Sequence, residues 1–385
     1  MPNGSVTTTP RPSAFAPVTD LLLPSDRIAR LDLQVWAANL IDRLQVSEPD
    51  PASLSVVLNN AALVFAHLGR LEQARWVCNA HIGWVRQLAA SGDTSPVHAL
   101  QPWINLGRIE LLTGNPAAAQ AYFDLVRPMQ ECRPVQLGSL TIEPADWPGM
   151  LAVEPQLPAV LRSVRLLDGV RCWFVAGDYR GALRWLDRIE REEQVAPPAG
   201  LQEARVIGHV ELGEHEAAVA VARVRSADLY VGIAIRLHLA RSGWLHGRPQ
   251  LAGDLAMSAA KALLTVGWPA IDRTLLPRMF RLLEAAARTA RALGRDEAGH
   301  RLAETLLDNA VRAGDQVSSH AALRHLCAIT HGADQQHWEA IRENLESASD
   351  YLVVRRAAGL PPAPDRAVYA SLLSAVRRCV ADRAA

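Results

Sequence analysis

From Asp26 onward the apolar positions of the chain recur at three- and four-residue intervals, as at Ile28, Leu31, Val35 and Ala38 within Arg27–Ile41. That period predicts an amphipathic helix, which Ser25-Asp26 is placed to cap. The signature then repeats as an Ala/Leu-rich helix, a glycine, three to five residues, and another Ala-rich helix. Its clearest copy runs from Trp103 to Phe123. Gly114 supplies a left-handed C-cap there, and Asn115-Pro116 starts the next helix, where proline's missing N–H costs nothing. Weaker copies centre on Gly69, Gly177, Gly213, Gly247 and Gly294, and alternating β-branched runs are nearly absent. These patterns predict an all-α fold: an α-solenoid of antiparallel helical hairpins with irregular repeats.

The arrangement Trp103-x-x-Leu106-Gly107, then Gly114, Ala119 and Phe123, resembles the tetratricopeptide repeat, a helix–turn–helix unit of about 34 residues. The resemblance spans about residues 50–310. Intervals between turn glycines are 45, 63, 36, 34 and 47 residues, so insertions interrupt the array. Two copies depart from the pattern, with Gly169-Val170 and Arg205-Val206 standing where Leu-Gly is expected. The resemblance implies a superhelix that holds a peptide or protein partner in a concave groove. Some proteins of this kind cap larger bacterial regulators or recognise small molecules.

Along the chain, residues 1–25 are rich in Pro, Thr and Ser and read as a disordered tail. Residues 26–358 form the expected array, interrupted at 127–160 by a Pro-rich insertion with no sustained helical period. That insertion either lines a binding site or makes a surface excursion, and its Trp147 either closes over a ligand or docks on the stack. Residues 359–385 comprise a linker with Pro361-Pro362-Ala363-Pro364 and a capping helix around Val368–Val380.

Charge and composition narrow the function classes. Forty basic residues balance forty acidic ones, so nothing favours a polyanion, and no basic helix–turn–helix segment points to nucleic acid. Lys261 is the single lysine against 39 arginines, which reflects either a GC-rich coding sequence or a need for planar forks. Five widely spaced cysteines without a CxxC pair suggest neither zinc nor redox chemistry. The N-terminal segment does not read as a signal peptide and no apolar run is long enough to cross a membrane, so a reduced cytoplasmic setting is expected.

Candidate binding residues emerge when the copies are aligned on their turn glycines. Arg108, Arg171, Arg241 and Arg288 each stand six residues before a glycine, at the position that the resemblance turns toward the groove. Guanidinium forks there would receive carboxylates, phosphates or peptide carbonyls. Asn60 and Asn105 stand nine residues before theirs, matched by Asp168. The resemblance implies that such asparagines hold a ligand backbone or C-terminal carboxylate, while an interhelical hydrogen bond is the other reading. Trp244, three residues before Gly247, is placed near the groove, whereas Trp76, Trp103 and Trp173 suit core packing. Neither His209/His215 nor the run His320, His325, His331, His337 has metal-ligand spacing, and no cofactor or catalytic motif is present. The expected function is a binding protein holding a peptide, a protein partner or an anionic small molecule, with room for a homodimer. An enzyme of specialised metabolism inside the solenoid and a ligand-sensing regulator are the alternatives.

Overall fold

The computed structural model describes residues 33–45, 51–67, 69–91, 97–125, 127–131, 133–137, 140–193, 199–223, 228–271, 275–313, 318–319, 322–323, 325–326 and 366–381. The tail at 1–25, the Ser25-Asp26 cap, and His320, His331 and His337 lie outside them. The described residues are helical almost throughout, stacked as antiparallel hairpins in the manner of an α-solenoid.

The chain divides into two compact units, Asp32–Val195 with Ala363–Ala385, and one built from Ala196–Pro362. The first contains α1 (Leu33–Gln45), α2 (Pro51–His67), α3 (Leu71–Ser91), α4 (Val97–Leu112), α5 (Pro116–Asp124) and α6 (Arg127–Gln130). A two-stranded hairpin follows, β1 (Val135–Leu137) and β2 (Leu140–Ile142), then α7 (Trp147–Val153), α8 (Leu157–Ser163), α9 (Gly169–Val175) and α10 (Tyr179–Glu193). The second unit contains α11 (Ala199–Glu211), α12 (His215–Ala222), α13 (Leu229–Leu245), α14 (Pro249–Leu264), α15 (Leu276–Ala292) and α16 (Asp296–Ala313).

Six hairpins, α2/α3, α4/α5, α9/α10, α11/α12, α13/α14 and α15/α16, share one turn. Its glycine is Gly69, Gly114, Gly177, Gly213, Gly247 or Gly294, each with φ between +67° and +74°. At the second of these, the Gly114 N–H donates to the Leu111 carbonyl at 3.1 Å and the Asn115 N–H to that of Glu110 at 2.9 Å. The same pair of bonds recurs at all six turns. This Schellman arrangement satisfies two carbonyls at the helix end and requires a left-handed residue between them.

A second glycine sets how closely the two helices of a hairpin approach. A Cβ on Gly107 would stand 2.6 Å from Phe123 Cε1, so the ring of α5 occupies that space on α4. In one of the two copies that depart from the Leu-Gly pattern, a Cβ on Gly169 would stand 2.8 Å from Trp185 Cζ2. The glycine has moved one residue away from its turn and the aromatic one residue toward it, so the contact survives the change.

The Pro-rich insertion, expected without regular structure, is ordered into β1–β2, a 3-10 turn at Pro144–Asp146, and α7. Val135, Leu137, Ile142, Met150 and Leu157 are buried in the same apolar cluster as Leu58, Ile104 and Phe123, and Trp147 packs against it. Strands of three residues are too short to show as alternation, which hid them in the sequence. Trp103 is half-buried against Tyr122, ring centroids 5.8 Å apart. Trp76 corrects another expectation. It is 36% exposed, its ring covered by the Arg377 guanidinium at 5.4 Å rather than enclosed in a core. Arg377 belongs to the last helix, α17 (Arg366–Ala381), which packs against α1 and α3.

Two glycines should respond oppositely to alanine. Gly107→Ala forces Phe123 to move and should cost about 1–3 kcal/mol. Gly83, inside α3 with nothing within 4 Å of a Cβ, should gain about 0.5–1 kcal/mol because alanine is the better helix former. Urea unfolding of both variants checks the pair. Equal effects would show that Phe123 does not set the α4–α5 spacing.

Candidate functional site

The first helices of successive hairpins pack side by side, α2 with α4 and α4 with α9 in one unit, α11 with α13 and α13 with α15 in the other. Polar side chains join them. Asn105 Nδ2 donates to Asn59 Oδ1 at 2.6 Å, linking α4 to α2. Arg108 donates from Nε and Nη2 to Asp168 Oδ2, at 3.1 and 3.0 Å. Arg171 Nη1 donates to the other oxygen of the same carboxylate. Asp168 is 2% exposed and closes a π-helical turn, Val164–Asp168, inserted between α8 and α9. Such a turn accommodates an extra residue in a helix and shifts the facing of what precedes it.

The second unit uses other residue types for the same purpose. Glu203 on α11, fully buried, accepts from Arg278 Nη2 of α15 at 3.0 Å and lies 3.6 Å from His238 Nε2 of α13. Arg241 on α13 pairs with Glu211 on α11.

The sequence-predicted residues therefore separate into two groups. Arg108 and Arg171 meet on one carboxylate in the first unit, while Arg241 and Arg288 lie on α13 and α15 of the second. Their side-chain exposures decide what each can offer: 34% for Arg108, 9% for Arg171 and 14% for Arg241. Arg288, half-buried, makes no ion pair among the described residues. Asn105 is buried and its amide is engaged by Asn59, whereas Asn60 is half-buried with no side-chain hydrogen bond among the described residues. Trp244 is half-buried on α13. Asn59 and Glu203 were missed for one reason. They stand ten residues before their glycines and lie against residues nine before the next, Asn105 and His238, an offset that alignment in register conceals.

Two serine–histidine pairs add to the buried polar groups. Ser55 Oγ lies 2.7 Å from His81 Nε2, and Ser242 Oγ lies 2.9 Å from His215 Nδ1. Burial, with Arg248 and His246 nearby, lowers the pKa of His215 below its ordinary value. Cys172 abuts the Asp168 carbonyl, and burial together with that carboxylate pushes its thiol up to about 12, so it is no nucleophile. Among the described residues no three His, Cys, Asp or Glu side chains are placed to hold a metal ion. None of their helices is long and apolar enough to cross a membrane.

Asp168→Asn should cost about 3–5 kcal/mol, because it strands two guanidinium groups that share one buried carboxylate. Arg108→Ala should cost about 1 kcal/mol or less, since that side chain is a third exposed. Chemical denaturation of both variants compares them, and equal losses would contradict a hub role for Asp168. His215 gives a pH dependence. Its lowered pKa means that the unfolded chain takes up the proton first as pH falls. Its contribution is complete above about pH 6.5, the ordinary histidine value, and is lost progressively below it. The stability advantage of the native protein over His215→Asn should shrink between pH 7.5 and 5.5. A constant difference would contradict the neutral, buried ring.

No family model matches the chain, and no curated protein matches it. A solved structure of Naa15/Naa10 bound to HypK-THB aligns over 94% of this chain with 14% identity and a TM-score of 0.21. This chain spans 64% of the length of the chain it matches there. A likeness of that degree carries no weight.

Proposed function

We propose that this chain is a helical-repeat binding protein. It holds a peptide or protein partner, or an anionic small molecule, on the first-helix face of its first unit. Arg108 is the charged contact, with Asn60 on the neighbouring first helix a further polar one. The observation that carries this reading is the state of Arg108. Buried Asp168 fixes two of its donors while a third of the side chain remains open to solvent. A guanidinium held in place loses little freedom on meeting an anionic or carbonyl group, which favours affinity. Asn105 ties α4 to α2, and Arg171 shares the Asp168 carboxylate with Arg108, so both support that face. The balanced charge of the chain fits a discrete partner better than a polyanion.

The enzyme reading has one geometric candidate, the Ser55–His81 pair at nucleophile-to-base distance. Both residues are at most 1% exposed, so substrate has no route to the hydroxyl, and the binding reading is preferred.

Affinity capture from the native cell, using the whole chain and its Arg108→Ala variant as baits, tests the proposal when protein and metabolite mass spectrometry are read together. A species held by the native chain should be lost from the variant, a weakening of about 2–5 kcal/mol for a desolvated charge-assisted contact. The melting temperature should fall by no more than about 4 °C. Undiminished capture by a normally folded Arg108→Ala would remove Arg108 from the site.

A further inference from the structure

A guanidinium can grip a carboxylate along either of two edges, a side edge of Nε and Nη2 or an end edge of Nη1 and Nη2. On Arg241 the end edge is closed. Its Nη1 donates to Glu211 Oε1 and its Nη2 to Glu211 Oε2, the latter at 3.4 Å. Glu211 stands two residues before Gly213, the turn glycine of the preceding hairpin. Arg108 holds the same repeat position as Arg241, but the equivalent residue ahead of it is His67, two residues before Gly69 and without a carboxylate. Arg108 spends its side edge on Asp168 Oδ2, and its Nη1 donates to none of the described residues. Charge points the same way. Two guanidinium groups on the single Asp168 carboxylate leave one positive charge in excess, and Glu110, two residues further on, is committed to Arg75 at 2.7 Å. One monovalent anion would balance the group. A turn beyond Arg108 on α4, Leu112 is 57% exposed, at the i+4 spacing that sets two side chains next to each other.

We propose that the end edge of Arg108 receives the carboxylate of a ligand that carries an aliphatic segment, in the manner in which Glu211 fills Arg241. The inference rests on the reading of Arg108 as the charged contact and narrows its partner to one chemistry. A planar two-oxygen anion meets the two parallel N–H groups bidentately. The aliphatic segment lies along Leu112 and buries apolar surface that α4 otherwise leaves in water. In the second unit the chain itself supplies a carboxylate at the matching place, and there the fork is closed. A free aliphatic acid and an acidic side chain of a protein, flanked by aliphatic residues, share this chemistry.

Two probes separate those sources: hexanoate, and the blocked tripeptide acetyl-Leu-Glu-Leu-amide. Each is titrated into the full chain by isothermal calorimetry, with inorganic phosphate for comparison. A carboxylate probe should bind saturably, at least tenfold more tightly than phosphate. Tighter binding of hexanoate assigns a small acid, and tighter binding of the tripeptide assigns a protein side chain. His67→Glu supplies the carboxylate that the hairpin before Arg108 lacks and leaves Arg108 in place. It should weaken the probe at least tenfold while the melting temperature holds or rises. Arg108→Lys keeps the charge and loses the fork; it should weaken the probe to a similar degree, and it decides if His67→Glu does not fold. Saturable binding of neither probe, tighter binding of phosphate, or undiminished binding by either folded variant would overturn the proposal. If capture is nevertheless lost from Arg108→Ala, Arg108 remains the contact and only its carboxylate ligand is withdrawn. Undiminished capture removes both.

Discussion

Each hairpin depends on a backbone conformation that places two amide hydrogens onto two carbonyls at the end of its first helix. A left-handed residue must stand between those bonds, and glycine alone reaches φ near +70° without strain from a Cβ. Once that turn is made, the second helix leaves in a defined direction and the rows of side chains on the first helix acquire fixed facings. The rows nine and ten residues before the glycine face the neighbouring first helix. This is why Asn105, Asp168 and His238, which share no chemistry, all end up buried between hairpins.

Those buried rows carry much of what makes the repeats distinct. A purely apolar seam would let hairpins slide or exchange neighbours, whereas a carboxylate that must find a guanidinium accepts only one register. Asp168 receives two arginines, one from α4 and one from its own helix, and Glu203 receives Arg278 with His238 close by. Desolvation takes back most of the Coulombic gain in such pairs, so their contribution to total stability is modest. Their value lies in the cost of the alternatives, since any slipped packing leaves a charge buried without its partner.

The architecture was legible in the sequence wherever a local rule controlled the outcome. All six turn glycines were identifiable, because a helix end with glycine and a restart such as Asn115-Pro116 leave little else to fit. The arginine positions were legible too, but whether each fork is open or already engaged depends on which residue of another hairpin faces it. That partner lies 60 residues away for Arg108, across the insertion that breaks the repeat, and 30 residues away for Arg241. The π-helical turn before Asp168 and the three-residue strands in the insertion are decided by tertiary packing, which overrides local periodicity. Asn59 was passed over for its neighbour Asn60 because a shift of one residue, invisible to alignment on the glycines, selects which of the two faces α4.

The pairing of α1 with α17 bears on how the protein is made. A chain emerging from the ribosome exposes the apolar side of α1 well before the helix that covers it, α17, has been synthesised. At ordinary elongation rates of about 5–20 residues per second, the roughly 320 intervening residues take about 15–65 seconds to appear. Over its later part, about 9–34 seconds for the 172 residues from Gln194 to Asp365, the three hairpins of the first unit have all been made while Ala37 and Leu40 still face water or whatever else is near. Nascent chains translated side by side on one message would present these faces to each other, so α17 also sets the moment at which the newborn protein stops being adhesive.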